Sequence, residues 1–152
     1  MRFLGFLNDG VATIGVAVGD AVHPLCSIDA FYDDPARWIA TSPPPNGVPL
    51  SEVTQVPPVP TTAKILCVGL NYADHIAETK SDRPEAPNLF ARWFASLSVD
   101  GAEVPVATGD PKLDWECELA AIIGAPLTDT PASAAMAGVL GYTCFNLSLI
   151  HI

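Results

Sequence analysis

Apolar runs separated by turn residues predict β-structure over residues 2–28. An Asp9-Gly10 pair lies between the first two runs, and Asp-Gly between apolar runs is a strong signal for a tight β-hairpin. A second turn at Gly19-Asp20 leads into a third run. The chain is therefore expected to begin with a small antiparallel sheet.

After residue 28 the strand-like pattern of apolar residues ends. A helical segment follows, and then a proline-rich one. Residues 30–41 predict a short helix, with Asp33 or Asp34 as the N-cap and Pro35 at the first helical position. Residues 42–60 contain seven prolines. Each proline fixes φ and removes a backbone donor, so an extended connector is expected here.

The second half of the chain alternates short strand-like runs with short helical segments. Strands are predicted over 63–69, 113–123 and 141–150, and helices over 71–80 and 130–140. There are many strands and few helices. The predicted fold class is therefore α+β, mainly β.

Composition indicates a folded protein that does not bind nucleic acid. The chain has 152 residues, of which 49% are hydrophobic and 16% are charged, which is enough to bury a core. Seven Lys and Arg stand against seventeen Asp and Glu, for a net charge of −10. Because no basic stripe is available to contact phosphates, nucleic acid and anionic membrane surfaces are not expected partners.

Two further patterns favour a cytoplasmic protein. Asn8 interrupts the N-terminal apolar run well before it reaches the length of a signal peptide core. Residues 131–152 lack Asp, Glu, Lys and Arg, but they contain Pro131, Gly138 and several polar residues. A buried helix followed by a buried strand is therefore predicted there, rather than a membrane span.

The four cysteines are scattered, with no Cys-x-x-Cys spacing. Three of them lie inside apolar, strand-like runs. We interpret them as reduced, buried thiols rather than as a disulfide framework or a zinc site.

His75 and Glu78 form the first pair that could carry chemistry. Residues three apart on a helix are neighbours on one face, and Asn71 is placed to cap this helix. A Glu beside a His orients the imidazole and raises its basicity, as a general base requires. The alternative is an exposed polar face on which the two residues meet by chance.

Glu116 and Glu118 form the second pair, and on a strand they share one face with Asp114. Ala120 and Ile122 continue that face, so it is expected to run towards a core. Three states would make two neighbouring acids tolerable: exposure to solvent, protonation of one acid, or a bound cation. A hard divalent ion such as Mg²⁺ or Mn²⁺ suits oxygen-only ligands, although two carboxylates need a third from elsewhere.

Four motifs in a fixed order resemble the fumarylacetoacetate hydrolase family over about residues 60–146. They are KILCVGLNYADHIAE, PNLFAR, LDWECELAAIIG and GYTCFN. The resemblance implies a catalytic domain with a mixed β-sandwich or roll, incomplete in this chain and preceded by a small N-terminal β unit. The domains predicted on this basis are 1–60, 61–146 and a non-native tail at 147–152.

The resemblance also implies roles for individual residues. It assigns Glu116 and Glu118 to a Mg²⁺ or Mn²⁺ ion, and His75 and Glu78 to the activation of water. Arg92 would lie near a carboxylate of the substrate. The full-length protein would be a homodimer that acts on a small 2-oxo acid.

One position departs from the family pattern. The family has an aspartate, its third metal ligand, where this chain has Leu147. The final residues, LSLIHI, resemble a translation of the transposon-end adapter used in preparing DNA sequencing libraries. We therefore expect residues 147–152 to be non-native, and the 152-residue chain to be inactive and poorly soluble.

The predicted function of the parent protein is that of a metal-dependent hydrolase or lyase. Its substrate would be a 2-oxo acid or a 1,3-dicarbonyl compound, cleaved as in acylpyruvate hydrolysis or decarboxylated as oxaloacetate is. An isomerase or decarboxylase of aromatic-degradation intermediates is one alternative. The others are a non-catalytic relative without the metal site, with Leu147 genuine, and a protein in which the paired acids are merely solvated.

Overall fold

Strands form most of the regular structure in the computed structural model, which describes residues 1–106, 108–109 and 112–150. The described strands are β1 (Phe3–Asn8), β2 (Val11–Val18), β3 (Ala21–Ser27), β4 (Val48–Pro49), β5 (Ile65–Gly69), β6 (Asn88–Arg92), β7 (Leu113–Ile123) and β8 (Val139–Ile150). The described α-helices are α1 (Ile28–Asp33), α2 (Pro35–Ala40), α3 (Ala73–Thr79) and α4 (Ala132–Ala135). Short 3₁₀ turns cover Leu50–Glu52, Phe94–Ser96 and Met136–Gly138. The predicted α+β class, mainly β, is confirmed.

The first four strands form one antiparallel sheet in the order β1-β2-β3-β4. The predicted hairpin is present, with Asp9 (φ 49°) and Gly10 (φ 79°) as its two turn residues. Positive φ at both positions gives a turn whose twist matches that of the flanking strands. Gly19 (φ 56°) makes the second predicted turn. Local turn chemistry thus determines the register of this sheet.

The small core of the four-stranded sheet includes side chains from both faces, because Phe6 is opposite Thr13 whereas Ile14 and Val16 project from the other face of β2. Its buried apolar side chains in the first 28 residues are Phe6, Ile14, Val16, Val22 and Ile28. Gly15 lies among them because a Cβ atom there would be 2.5 Å from Val22 Cγ2.

The proline-rich connector is extended, as predicted, and it is also attached to the sheet. Thr54 O accepts a hydrogen bond from Leu7 N at 2.9 Å, and Val56 N donates to Gly5 O at 2.9 Å. His23 Nδ1 lies 2.7 Å from Pro44 O. The connector therefore forms backbone hydrogen bonds with β1 and extends the sheet beyond that strand.

The helix predicted over 30–41 is replaced by two helices. The Asp34 side chain accepts a hydrogen bond from Arg37 N at 3.1 Å and caps α2, which begins at Pro35 as predicted. Because α1 already ends at Asp33, the two helices meet at this cap.

The helix predicted over 130–140 is largely wrong. Only Ala132–Ala135 is α-helical, and its N-cap is Pro131 rather than Thr130. From Val139 onwards the chain pairs with β7 instead. Long-range strand pairing therefore replaces the second half of an alanine-rich helix.

The chain divides into two compact units. One contains Met1–Asp29 and Pro43–Asp100, and the other contains Ala30–Ser42 and Gly101–Ile152. Strands β5 and β6 form an antiparallel pair in the first unit, and β7 and β8 form an antiparallel pair in the second. The last two residues of the predicted tail, His151 and Ile152, lie outside the described residues.

The prediction of buried cysteines is wrong for two of the four and holds only in part for the other two. Cys117 and Cys144 are exposed, and Cys26 and Cys67 are half-buried. Alternation along β7 directs Cys117 to the face opposite the glutamates, and that face is exposed. Within the described part of the chain, no helix combines the length and apolar character that a membrane crossing requires.

Candidate functional site

The paired glutamates lie on the more buried face of β7. Glu116 and Glu118 are both half-buried, and Ala120 follows them on the same face. The alternating residues point the other way, and Trp115 and Leu119 are 69% and 66% exposed. The predicted direction of the two acids, inward rather than outward, is therefore observed.

Strand β8 completes this face from the other side. Glu116 is directly opposite Leu147, and Glu118 is directly opposite Phe145. Opposed residues of an antiparallel pair project from the same face, with Cβ atoms about 5 Å apart. Leu147 is 4% exposed. Leu147, where the family resemblance implies an aspartate, thus lies across the ribbon from Glu116.

Asp114 does not join the glutamates as a buried acid. It is exposed, and its side chain accepts a hydrogen bond from Trp115 N at 2.8 Å. Among the residues that the structure describes, no group of three or more His, Cys, Asp or Glu side chains is placed to hold a metal ion.

The side chains on this face fit a divalent metal ion only in part. Glu116 and Glu118 supply carboxylate oxygens, the donors that Mg²⁺ and Mn²⁺ prefer. The buried Leu147 side chain supplies no donor at the third position. Two protein ligands would leave the rest of the coordination shell to water and substrate.

Helix α3 carries the other predicted pair. His75 is half-buried and Glu78 is exposed, three residues apart on this helix. The helix begins later than predicted, so its N-cap is Tyr72 rather than Asn71, and no side chain caps it. The reason lies in the preceding turn, where Leu70 adopts a left-handed conformation (φ 53°) directly after β5.

The C-terminal end of α3 is held by a Schellman motif. Lys80 adopts the left-handed conformation (φ 52°), and its N–H donates to Ala77 O at 3.3 Å. Ser81 N donates to Ile76 O at 3.2 Å. The Thr79 hydroxyl donates to His75 O at 2.9 Å. These bonds fix the backbone of the turn that carries both candidate catalytic side chains.

Arg92, the predicted substrate-binding residue, is half-buried on β6. Its guanidinium carbon lies 5.9 Å from the centre of the Phe90 ring, two residues earlier on the same face. Ile65 is directly opposite Arg92 on β5. The side chain is therefore packed against an aromatic ring.

A cleft of about 470 Å³ adjoins α3 in the same unit. Its walls come from the turn after β5, from the first part of α3 and from residues 83–87. Sequence reasoning did not single out this loop. The available signal was the group Arg83-Pro84-Glu85, in which two charges flank a rigid proline.

The predicted residues are divided between the two compact units. Glu116 and Glu118 share one face of the β7–β8 ribbon. His75, Glu78 and Arg92 belong to the other compact unit, the first two on a helix and the third on a strand.

The comparisons with known proteins agree with the motif order. A family model described as "Fumarylacetoacetate (FAA) hydrolase C-terminal" matches residues 64–148, more than half of the chain. The human protein named oxaloacetate tautomerase FAHD2A, mitochondrial, is 38% identical over 96 residues, which are 63% of this chain and 31% of that protein.

Solved structures with the same fold cover nearly the whole chain. A fumarylacetoacetate hydrolase from Exiguobacterium antarcticum matches with a TM-score of 0.67 and 27% identity, over 97% of this chain and 56% of that one. A 5-carboxymethyl-2-hydroxymuconate delta-isomerase from Mycobacterium smegmatis matches with a TM-score of 0.71 and 25% identity, over 97% and 55%. The chain thus spans a little over half the length of these structures. By the family match and the shared fold, it belongs to the fumarylacetoacetate hydrolase family.

Proposed function

We propose that this chain carries part of the active site of a metal-dependent hydrolase or lyase of 2-oxo acids or 1,3-dicarbonyl compounds. One observation supports the proposal most. Two half-buried glutamates share one face of a strand, and Leu147, at the family's aspartate position, lies opposite Glu116.

The electrostatic cost of placing two carboxylates side by side is the reason that this observation supports a metal site. Two ionised carboxylates about 6–7 Å apart repel by about 2–3 kcal/mol at an effective dielectric constant of about 20, and partial burial adds a desolvation cost. A divalent cation between Glu116 and Glu118 would offset both penalties. Two acids on the more buried face lower the stability of the ribbon, so stability alone does not explain their position.

Each proposed residue has a separate task in this reaction. Glu116 and Glu118 would hold Mg²⁺ or Mn²⁺, which supplies electrophilic stabilisation for the enolate that forms when a bond next to a ketone breaks. Glu78 would orient the imidazole of His75, and His75 would take a proton from the attacking water. Arg92 would attract the carboxylate of the substrate.

A second candidate function is the isomerisation of a 2-oxo acid. The names of the human relative and of the Mycobacterium smegmatis structure, a tautomerase and an isomerase, favour it. Enolisation needs a base that removes a proton beside the carbonyl, a role that His75 could also take. Incubation of the parent protein with oxaloacetate in deuterated water separates the candidates: deuterium at C3 that appears faster than in an enzyme-free sample with the same metal, without loss of carbon, indicates tautomerisation, whereas pyruvate above the level of that sample indicates decarboxylation.

Calorimetric titration with Mn²⁺ tests the metal site directly. Leu147→Asp should raise the affinity by about ten-fold or more, because it adds a third carboxylate opposite Glu116. Glu116→Gln should abolish binding in either background. Asp114→Asn is the matched control, since Asp114 is an exposed acid on the same strand, and it should change little.

The outcomes separate the proposal from its competitors. If Leu147→Asp and Asp114→Asn leave the affinity equally unchanged, the acids are solvated or the chain is a non-catalytic relative. The origin of Leu147 is tested separately, by the reading frame of the parent gene. A genomic reading frame with aspartate at this position would support the non-native tail, and a frame that encodes LSLIHI and then stops would refute it.

Location and assembly also remain proposals. We propose a cytoplasmic, homodimeric parent protein that takes a small 2-oxo acid and binds neither nucleic acid nor membrane. The net charge of −10 supports the exclusion of polyanionic partners. Sedimentation of the parent protein, and localisation of a tagged copy, test the two proposals separately.

A further inference from the structure

Two cysteines lie diagonally across the outer face of the β7–β8 ribbon, the face that carries Trp115 and Leu119. Cys117 is directly opposite Asn146, and Cys144 comes two residues before Asn146 on β8. Residues two apart on a strand share a face, so both thiols project from the same side of the ribbon. Both side chains are exposed, and neither is in a disulfide. The outer face therefore presents two free thiols as neighbours.

The separation of these two residues is too large for a disulfide, but it suits a bridging ion. Diagonal neighbours across an antiparallel pair are about 7–8 Å apart, and their Cβ atoms are somewhat closer. A disulfide needs Cβ atoms about 3.5–4.5 Å apart. Two metal–sulfur bonds of about 2.3 Å each, the length in zinc thiolate sites, allow the sulfurs to be up to about 4.6 Å apart. The two Cβ–Sγ bonds then span the remaining distance.

The two sulfur donors determine which class of ion fits. Thiolates are soft ligands, which select Cu(I) over hard ions such as Mg²⁺ and Mn²⁺. A tetrahedral zinc site needs further protein ligands. Within the described ranges, no cluster of three or more His, Cys, Asp or Glu side chains could supply them. Cu(I) accepts two thiolates in a linear arrangement, so the pair alone is a sufficient donor set.

The other two cysteines do not form a comparable pair. Cys26 lies on β3 and Cys67 lies on β5, and these strands belong to different sheets. Both side chains are half-buried. Either residue can therefore serve as a control for the loss of a single thiol.

We propose that Cys117 and Cys144 bind one soft monovalent cation of the Cu(I) class on the outer face of the ribbon. Each thiol releases its proton to solvent as its bond to the metal forms, and no electron is transferred. This site goes beyond the proposed function. Glu116 and Glu118 project from the opposite face and supply oxygen donors, which suit hard divalent ions instead.

The test is an anaerobic titration of the 152-residue chain with Cu(I), in competition with the chromogenic Cu(I) chelator bathocuproine disulfonate. Cys117→Ser and Cys144→Ser should each weaken binding by about 100-fold or more, because the second thiolate binds at a high effective concentration. Cys67→Ser is the matched control. It removes one thiol from the other compact unit and should leave the affinity unchanged. Circular dichroism of each variant shows whether the strands are retained.

A relocated thiol tests the geometry while the number of thiols stays constant. In the Cys144→Ser background, Asn146→Cys places a thiol directly opposite Cys117 and should restore binding. Thr143→Cys in the same background places the thiol on the other face of β8 and should not restore it.

Four results would overturn the proposal. They are the absence of saturable binding, equal affinities in Cys117→Ser and Cys67→Ser, rescue by Thr143→Cys as strong as that by Asn146→Cys, and one ion held between two chains in native mass spectrometry. Failure here leaves the Mn²⁺ titration of Glu116 unaffected, because that ion is assigned to the opposite face. Failure of that titration likewise leaves the thiol pair unaffected.

Discussion

The N-terminal sheet and the β7–β8 ribbon use the same antiparallel pairing for different purposes. The sheet buries Phe6, Ile14 and Val22 almost completely. The ribbon has longer strands, yet Trp115 and Leu119 on its outer face are largely exposed. One region therefore has its own core, whereas the other presents apolar surface to solvent.

This difference indicates which region contributes most of the stability and which region carries the candidate metal ligands. Two-stranded ribbons are marginally stable in water unless further structure covers them. The ribbon nevertheless carries both candidate metal ligands, and its half-buried face is the more polar one at Glu116 and Glu118. We infer that the sheet dominates the stability of this chain, and that the ribbon determines its association and carries the proposed metal ligands.

Truncation of the sheet core should have the largest effect. Phe6 is 1% exposed, so Phe6→Ala should lower the free energy of unfolding by about 3–5 kcal/mol. Trp115, at 69% exposed, loses little on truncation, and Trp115→Ala should stay within about 0.5 kcal/mol. Urea unfolding followed by circular dichroism measures both changes. Equal losses would mean that the ribbon contributes as much core as the sheet.

Glycine substitutions should give the next largest contrast. A Cβ atom at Gly15 would lie 2.5 Å from Val22 Cγ2 and 2.8 Å from His23 O, so Gly15→Ala should cost about 1–3 kcal/mol. At Gly141 on β8, a Cβ atom would have no neighbour within 4 Å. Gly141→Ala should therefore be neutral or stabilise by up to about 1 kcal/mol. Thermal unfolding of the two variants side by side checks the contrast, which a comparable loss at Gly141 would contradict.

A charge on the outer face of the ribbon should change association more than stability. Leu119→Lys replaces a side chain that is 66% exposed and interrupts the apolar patch, so soluble yield should rise and light scattering should fall. Ile122→Lys is the matched control on the half-buried face, and it should lower stability instead. If Leu119→Lys leaves aggregation unchanged, the exposed face is not its cause.

The smallest expected effect concerns alkaline pH. Burial raises the pKa of the Tyr32 phenol above its ordinary value of 10.0, because the charged phenolate is poorly solvated there. The corresponding stability is fully present below the unfolded pKa and is lost as the pH rises through the folded value. Tyr32→Phe should therefore flatten the decline in the urea midpoint over the pH range between the unfolded and the folded pKa of this phenol. Identical slopes in both proteins would contradict this assignment.

The parts of the fold that were predicted correctly are those that depend on residues close together in the sequence. The Asp9-Gly10 hairpin and the Asp34 cap depend on neighbouring residues, and both are present. The helix predicted over 130–140 failed because β8 pairs with β7, a long-range contact that helix propensity does not contain. Cys117 was misjudged for a similar reason: both faces of β7 contain apolar residues, and alternation alone does not say which face is buried.

For the candidate site, too, the sequence predicted features within one strand but not those that depend on long-range contacts. Alternation predicted that Glu116 and Glu118 share a face, and the burial pattern along β7 agrees. The position of Leu147 opposite Glu116 depends on strand register, which sequence spacing within one strand does not define. Arg83 was not singled out, because a cleft forms only when its loop folds beside α3.

The most direct test of the central claim is paramagnetic broadening of amide NMR signals by Mn²⁺. If Glu116 and Glu118 hold a divalent ion, residues 116–118 and the facing residues 145–147 should broaden first, at the lowest Mn²⁺ concentration. Glu118→Gln should remove that selectivity. Broadening that starts elsewhere, for example at Asp33 and Asp34, or that is unchanged in Glu118→Gln, would contradict the assignment.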